Sequence, residues 1–356
     1  PPTGFLALCT KNLPDVAVTP SEHFHTAIYT GVDGNQTLTG FPFQPDWTWI
    51  KSRSNVRKHY LVDAVRGYNK PLNSNLPNAE GTDASDADVS PTSDGLQLDG
   101  GSGNFNAENY TYAAWNWKAN GSGSSNTDGS INTTATSANV DAGFSIVTYS
   151  GNGTAGATIG HGLSKAPEMV IIKSRTNGSD WWGTYHKDIG ADNSLFLNDT
   201  LAAVDRSYYH DTHPSSSVIY LGSDRSSNGS GETFVAYCFH SVDGYSKVGT
   251  YTGNGQTGSP ADGTFVYTGF RPAAILIKCS SNADNWHGWY DNKRGAYNQS
   301  SPLVYADLSN AENGGTNHLD WLSNGFKLRS DNLNQSGRTF IYLAFAETPF
   351  KYSNAK

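Results

Sequence analysis

The stretch Trp49-Ile-Lys-Ser-Arg53 recurs as Ile171-Ile-Lys-Ser-Arg175 and as Leu276-Ile-Lys-Cys-Ser280. In each copy the lysine stands six residues after a proline. A threonine that precedes aromatic and apolar residues lies 60, 60 and 61 residues beyond the three lysines, at Thr111, Thr233 and Thr339. A spacing kept to one residue over such a distance indicates tandem duplication of a unit of about 100 residues.

The residues around these landmarks have the patterns of β-strands. The run Phe144-Ser-Ile-Val-Thr-Tyr-Ser150 alternates with period two, which predicts a half-exposed strand, and it leads into Gly-Asn-Gly, which is a hairpin signal. The run Met169-Val-Ile-Ile172 is apolar throughout, as in a strand that is covered on both faces. With about seven such strands in each copy, the sequence predicts an all-β protein built from three tandem β-sandwich (jelly-roll-like) domains of about 100 residues each.

Composition supports the β prediction and excludes some partners. Only 16% of the 356 residues are charged, and there are 38 glycines and one methionine, which favours short strands with many turns over helices. The net charge of −8 gives no electrostatic reason to bind nucleic acid or an anionic membrane. Since the sequence has no apolar run of about 20 residues, we expect no membrane insertion.

The repeats divide the chain into five segments. We place an extended N-terminal lead-in at residues 1–22, repeat copies at 23–118, 143–245 and 246–356, and a Gly/Ser/Asn-rich linker at 119–142. The linker is too polar to order itself alone, so it is either a connection without structure or a strap that lies over a neighbour. Because copies two and three follow one another almost directly, we expect them to be docked rigidly and copy one to be attached more loosely.

The repeated lysines, Lys51, Lys173 and Lys278, follow directly after apolar residues. A lysine at the end of a buried strand usually extends its ammonium group into water, and we expect this arrangement here. The alternative is that the lysines, with Arg53 and Arg175, hold an acidic sugar.

Aromatic residues recur at a fixed distance from these lysines. Eight residues after each lysine stand His59, Trp181 and Trp286. Sugar rings stack on Trp and Tyr, so this region is a candidate ligand platform; packing inside the protein is the alternative. The candidate ligand-binding residues are Trp181, Trp182, Tyr185, Trp286, Trp289 and Tyr290. For four tryptophans that alternate along strands we expect core positions: Trp47, Trp49, Trp115 and Trp117.

Metal and thiol chemistry have little support in the sequence. Asp83, Asp86 and Asp88 supply oxygen ligands at short spacing and are weak calcium candidates, but no other copy repeats them, and a solvated loop explains them better. We therefore expect no metal and no cofactor. The three cysteines, Cys9, Cys238 and Cys279, have no metal-binding spacing and are either free thiols or contain one disulfide.

Catalysis also lacks a recognisable constellation. Glycoside hydrolysis requires two carboxylates that flank one bond, and the glutamates of this chain follow no repeated pattern. His210, Asp211 and His213 stand close together, but a polar loop before Pro214 accounts for them equally well. We expect that the protein is not an enzyme.

The repeat unit and the ends of the chain resemble a known family. The resemblance lies in two repeated motifs, Tyr-Ser/Thr-Gly-x-Gly and Pro-x-x-x-x-Ile-Lys-Ser-Arg. It also lies in the lead-in around Phe5-Leu-Ala-Leu-Cys-Thr-Lys-Asn-Leu-Pro-Asp15 and in the ending Phe350-Lys-Tyr-Ser-Asn-Ala-Lys356. In these features the chain resembles a repeat-domain family of marine bacteriophage tail-fibre and appendage-like virion proteins. The resemblance implies a virion-surface location, a fibre or decoration architecture, and association with further copies and other virion proteins. Its motifs are structural, and they assign no binding residue.

We therefore expect a non-enzymatic virion surface protein, part of a phage fibre or capsid decoration, that acts in assembly and in adhesion to host surface glycans. One alternative is a secreted bacterial carbohydrate-binding protein. Another is a self-assembling extracellular filament, in which the lead-in or the linker adds a strand to the next subunit.

Overall fold

A computed structural model describes residue 12 and residues 16–81, 88–256, 258, 261–283, 288–315 and 317–349. The protein is 42% strand and 3% helical, and its strands form several antiparallel sheets, so the all-β prediction is confirmed. Four residues singled out above lie outside the described residues: Cys9, Asp83, Asp86 and Trp286. The same holds for most of the lead-in and for the last seven residues.

The first large sheet has five strands. Its strands, in spatial order, are β1 (Phe24–Thr30), β8 (Thr111–Trp117), β3 (Trp47–Ser52), β4 (Tyr60–Asp63) and β5 (Gly67–Leu72). A small sheet belongs to the same part of the chain, with β2 (Gln36–Thr39), β7 (Gly95–Leu98) and β6 (Val89–Thr92). A 3-10 turn, Pro20–Glu22, precedes β1.

The second large sheet has seven strands. In spatial order they are β9 (Ala135–Asn139), β10 (Phe144–Ser150), β17 (Thr233–Phe239), β12 (Met169–Ser174), β13 (Gly183–His186), β14 (Asn193–Phe196) and β15 (Val204–Asp205). Its small companion pairs β11 (Ala157–Gly160) with β16 (Val218–Leu221). The short helix α1 (Arg225–Asn228) begins after Asp224, whose carboxylate accepts a hydrogen bond from the Ser226 N–H.

The third large sheet repeats the five-stranded order of the first. It contains β18 (Ser246–Thr252), β25 (Thr339–Pro349), β20 (Phe270–Cys279), β21 (Gly288–Asp291) and β22 (Val304–Tyr305). The small sheet beside it contains β19 (Phe265–Tyr267), β24 (Gly325–Leu328) and β23 (Leu319–Leu322). A second 3-10 turn spans Asp331–Leu333.

The sequence repeat corresponds to one strand order that occurs three times. In each large sheet the strand that begins with the repeated threonine lies between the tyrosine strand and the lysine strand, as β8 lies between β1 and β3. The pairing register is also the same, because Thr111, Thr233 and Thr339 face Thr30, Ser150 and Thr252 respectively. Equivalent positions can therefore be read directly from the strand pairing.

Apolar side chains form four clusters. Three of them each belong to one large sheet and its small companion. The fourth, here called the central cluster, takes side chains from all three large sheets, including Trp49, Tyr237 and Phe345. Each large sheet is thus covered on both faces, which explains why every residue of β3 and of β12 is buried.

The three parts of the chain contact one another in a closed cycle. The Glu80 N–H donates to Arg175 O at 2.8 Å, and the Ala203 N–H donates to Ser280 O at 2.8 Å. The Glu312 N–H donates to Arg53 O at 2.7 Å and completes the cycle from the third part to the first. The expectation that copy one is loosely attached is therefore wrong, because copy one contacts both of the others and contributes to the central cluster.

The predicted linker, residues 119–142, is described throughout. Its strand β9 pairs with β10, with Ala135 facing Thr148 and Asn139 facing Phe144. Just before β9, Ile131 enters the second apolar cluster and its N–H donates to Thr158 O at 2.9 Å. Residues 131–139 therefore lie over the edge of the second large sheet.

Candidate functional site

Three of the candidate stacking residues are interior residues. Trp182 and Tyr290 are 0% exposed and Trp289 is 1% exposed. Trp289 stacks on Trp115 with ring centroids 5.2 Å apart, which joins the third sheet to the first. A fully buried ring has no free face for a sugar, so the stacking role considered for these three residues is wrong and packing is the role that the structure shows.

Strand pairing also corrects the assignment of equivalent positions. Ile50 faces Tyr60 in β4, whereas Ile172 faces Gly183 in β13, so the residue that precedes the second strand is His59 in the first sheet and Trp182 in the second. The fixed spacing of eight residues had matched His59 with Trp181. The correct spacing is one residue longer in copy two, because the loop there contains one more residue.

His59 and Trp182 both hydrogen-bond across a boundary between sheets. The Trp182 indole N–H donates to Asn73 O and Leu76 O, each at 3.1 Å. His59 Nε2 lies 2.8 Å from Tyr305 O and 3.1 Å from Leu308 O, again two carbonyls three residues apart. Two different side chains thus make the same contact with the neighbouring sheet.

The environment of His59 fixes its protonation. The Trp49 indole N–H donates to His59 Nδ1 at 2.7 Å, so Nδ1 accepts and Nε2 carries the proton that reaches the carbonyls. Burial lowers the pKa of His59 to about 3. The imidazole is therefore neutral at physiological pH and acts as a structural donor and acceptor.

The repeated lysines do not reach water, which contradicts the prediction made for them. Lys51 and Lys173 are 0% exposed and Lys278 is 1% exposed. Lys51 Nζ donates to Ser52 O at 2.6 Å, and Lys173 Nζ donates to Ser174 O at 2.8 Å. Burial lowers the pKa to about 7 for Lys51 and to about 8 for Lys173 and Lys278. Since all three are enclosed, they cannot clamp an acidic sugar.

The two arginines proposed to help those lysines form ion pairs between sheets instead. Arg175 donates through both Nε and Nη2 to Glu80, at 2.8 and 3.0 Å. Arg53 makes the equivalent pair with Glu312, at 2.8 and 2.9 Å. Each pair joins neighbouring members of the contact cycle.

A buried arginine completes each of these ion-pair networks. In the first part Arg66 contacts Asp63 at 2.6 Å and Glu80 at 3.1 Å, and both its own side chain and that of Asp63 are 0% exposed. Burial alone would raise the pKa of Glu80, but the hydrogen bonds and charges of Arg175 and Arg66 outweigh it, so the pKa is lowered.

The third part repeats this network. Arg294 contacts Asp291 at 2.5 Å and Glu312 at 3.0 Å, and the side chains of Arg294 and Asp291 are both 0% exposed. The sequence carries a signal for both networks that is separate from the repeated lysines and threonines, since Asp-x-x-Arg-Gly occurs at 63–67 and again at 291–295. In copy two the matching positions hold His186 and Ile189, so the network has no counterpart there.

Of the remaining candidates, Trp181 is half-buried, with its ring edge-on to Phe196 at 4.4 Å and the Arg206 guanidinium 5.5 Å from its centroid. Tyr185 is 1% exposed, so the stacking role is wrong for its ring as well, and its hydroxyl lies 2.7 Å from His213 Nδ1. Asp88 pairs through its backbone with Asp99. Within the described ranges, no group of three His, Cys, Asp or Glu side chains could hold a metal. Cys238 and Cys279 are separate buried thiols.

A concavity with polar and charged side chains in its wall lies beside Tyr185 in the second sheet. It is an open cleft of about 530 Å³ whose wall includes Tyr185, Glu168, Lys187, His213 and His240. Lys187 Nζ lies 2.7 Å from Glu168 Oε1, and the Ser241 N–H donates to Glu168 Oε2 at 2.7 Å. The cleft therefore presents a positive charge, a carboxylate, imidazoles and hydroxyls together.

Burial and hydrogen bonds set the charges in this cleft. Burial would raise the pKa of Glu168, but hydrogen bonds from Lys187 and Ser241 outweigh it and lower the pKa, so the group is ionised. Burial lowers the pKa of His240, which is 4% exposed and whose Nε2 has no hydrogen-bond partner among the described residues. Such a set of donors and acceptors suits a polyhydroxylated ligand, bound by hydrogen bonds rather than by ring stacking.

Comparison with protein families gives one match. The model described as Domain of unknown function (DUF7483) matches residues 19–349. The chain belongs to this family. The DUF7483 match runs through all three large sheets as one unit, in agreement with the shared central cluster. No curated protein and no solved structure matches the chain.

Proposed function

We propose that this DUF7483 protein is a non-enzymatic component of a virion surface, part of a phage fibre or capsid decoration, that assembles with further copies and other virion proteins and adheres to host surface glycans. The single observation that carries the proposal is the closed cycle of contacts between three repeated sheets around one central cluster. In this proposal each repeat is a jelly-roll-like sandwich of about 100 residues, and the three sandwiches make one rigid block.

The interior of the block supports a structural role. Its boundaries contain ion pairs with fully buried arginines, such as Arg66 with Asp63. A buried ion pair adds little net stability, but it excludes alternative arrangements in which a charge would lie unpaired. A protein that must present a fixed shape to its neighbours benefits from such specificity.

Adhesion is assigned to the cleft beside Tyr185. A polyhydroxylated sugar can accept hydrogen bonds from Lys187 and donate to Glu168. Trp181 remains the one described candidate aromatic with part of its ring exposed, and we retain it as a secondary contact. The same cleft would serve the alternative function, a secreted bacterial carbohydrate-binding protein.

Two measurements test the proposal. Immunogold electron microscopy with an antibody to this protein should label the surface of purified virus particles; label confined to cells or medium would overturn the virion location and favour the alternative. A glycan array should show binding that is weakened about ten-fold in Lys187→Met, since a charged hydrogen bond contributes about 1.5–3 kcal/mol. Unchanged binding by Lys187→Met would remove the cleft as the adhesive site.

A further inference from the structure

The first large sheet has an open edge where the second has a filled one. In the second sheet β10 has neighbours on both sides, β17 and β9. In the first sheet β1 pairs with β8 alone and ends the sheet. Beside β1 lies a groove of about 380 Å³, formed with β2 of the small sheet and with Phe41 and Lys293.

This groove occupies the position that residues 131–139 fill in the second sheet. Residues 144–148 of β10 pair with β9. Because the two large sheets share one pairing register, these residues correspond to residues 24–28 of β1, of which residues 25–28 line the groove. On the other wall Thr158 and Ile159, which contact Ile131, correspond to Thr37 and Leu38. The groove is thus the equivalent of an occupied strand site, with no occupant among the described residues.

The backbone of β1 is available to a further strand. Gly31 N–H donates to Tyr110 O, and Lys118 N–H donates to His23 O, so the odd-numbered residues of this region direct their backbone groups toward β8. In an antiparallel strand the intervening residues point the other way, so Thr26 and Ile28 present N–H and C=O groups to the open edge. At the position equivalent to Ile28, Thr148 O accepts a hydrogen bond from the Thr134 N–H. Ile28 is also 40% exposed.

We propose that the N-terminal segment of a second copy of this chain, residues 1–11, adds a strand to β1 in this groove. Within its own copy the chain that follows this segment lies against the third sheet, where the turn Pro20–Glu22 contacts β25 and Val16 lies beside Gly244. Eleven residues extend to about 36 Å, which is long enough to leave the body and span the groove of a neighbour.

The chemistry of the segment fits the site. Nine residues, 131–139, fill the equivalent site; Ile131 belongs to the apolar cluster there and Ala138 packs against it. Phe5, Leu6 and Leu8 offer apolar side chains for the same position. Because each copy donates one segment and accepts another, the contact is head-to-tail and generates a ring or a filament. It would join copies of the chain on a virion or on any other particle.

The test uses an equal mixture of unlabelled and nitrogen-15-labelled full-length protein, treated with a lysine-reactive cross-linker. We expect mixed-isotope peptide pairs that join Lys11 of the segment to Lys293 of the groove. Ile28→Pro removes the outward N–H of an edge strand and should reduce these pairs about ten-fold, whereas Ile28→Ala, which keeps the N–H, should preserve them. Pairs confined to one isotope would show that the segment fills its own groove and would overturn the proposal.

A competition experiment avoids the folding of the proline variant. An excess of a synthetic peptide of residues 1–11, added to the wild-type mixture before cross-linking, should reduce the mixed pairs by a similar factor. A scrambled peptide of the same composition is the control. Mixed pairs that persist with the peptide, or that are as frequent in Ile28→Pro as in Ile28→Ala, would reject strand addition at β1. The virion location is tested separately, by immunogold labelling. Failure of strand addition therefore does not decide the virion location, and failure of the virion location does not decide strand addition.

Discussion

Trp182 of the second sheet donates its indole N–H to the carbonyl of Asn73 in the first sheet, at 3.1 Å, while its ring is fully buried in the central cluster. One side chain thus supplies both apolar packing and a directed contact across a boundary. The two contributions can be separated by substitution.

We predict that Trp182→Phe lowers the free energy of unfolding by about 2–4 kcal/mol, because it removes the two indole hydrogen bonds to Asn73 O and Leu76 O and also creates a small cavity. Urea unfolding followed by circular dichroism measures this change. The neighbouring Trp181→Phe, at a half-buried position, should cost less than about 1 kcal/mol and is the matched control. Equal effects of the two substitutions would contradict the boundary role of Trp182.

Removal of a boundary carboxylate should also destabilise the protein. Glu80 pairs with Arg66, which is 0% exposed, and with Arg175. Glu80→Ala removes one partner from a buried charge, so we predict a loss of about 2–4 kcal/mol in the free energy of unfolding. The control is Arg225→Ala, which removes an exposed ion pair with Glu232 and should leave the urea midpoint unchanged. A wild-type midpoint for Glu80→Ala would show that the network contributes nothing at this boundary.

The buried lysines predict greater stability at moderately alkaline pH. Burial lowers the pKa of Lys173 from 10.5 to about 8, so between these values the unfolded chain binds a proton that the folded chain does not. The free energy of unfolding therefore rises with pH across this window. It should fall again near pH 10, where burial holds the pKa of Tyr149 well above its usual 10.0.

Lys173→Met checks this prediction, since methionine keeps the length of the side chain without a charge. Urea unfolding at several pH values from about 7 to 9.5 should give a smaller slope of stability against pH for the variant than for the wild type. Parallel slopes would mean that Lys173 does not titrate between the folded and unfolded states.

At acidic pH the buried histidines predict a loss of stability. The pKa of His59 is lowered from 6.5 to about 3 and that of His318 to about 4, both chiefly through burial. Below pH 6.5 the unfolded chain binds protons that the folded chain does not, so stability decreases as the pH falls toward 4. His59→Gln retains a donor and an acceptor without titrating, and thermal unfolding of this variant should depend less on pH between about 6.5 and 4.5. An unaltered pH profile would exclude His59 as a source of the acid sensitivity.

The sequence was sufficient for the elements that depend on local pattern. The continuous apolar run before Lys173 predicted a strand covered on both faces, and β12 is fully buried. The core positions of Trp47, Trp49, Trp115 and Trp117 follow from the same physics. The half-exposed strand predicted from the alternation in β10 is wrong, because every residue of β10 except Ser150 is buried between two apolar clusters. The jelly-roll strand order stays a prediction, because the periodicity of side chains along a strand does not indicate which strands are its neighbours.

The features that were missed depend on contacts between distant parts of the chain. Lys173 is surrounded by carbonyls of the loop that follows it, and the path of that loop cannot be read from the strand. Trp181 was matched with His59 because a one-residue difference in loop length is invisible to fixed spacing. The aromatic residues recur in the sequence because the boundaries between sheets recur in the structure. A boundary between sheets and a sugar-binding surface both place aromatic residues at repeated positions, so the sequence alone does not distinguish them.

The cycle of contacts from Glu80 to Arg175, from Ala203 to Ser280 and from Glu312 to Arg53 is closed within one polypeptide. Three identical subunits in such an arrangement would carry three copies of every surface feature. Here the cleft beside Tyr185 belongs to the second sheet and the open edge of β1 to the first. Covalent linkage thus frees each third of the molecule to diverge, so that a feature such as the cleft can be present in one third without being repeated in the other two.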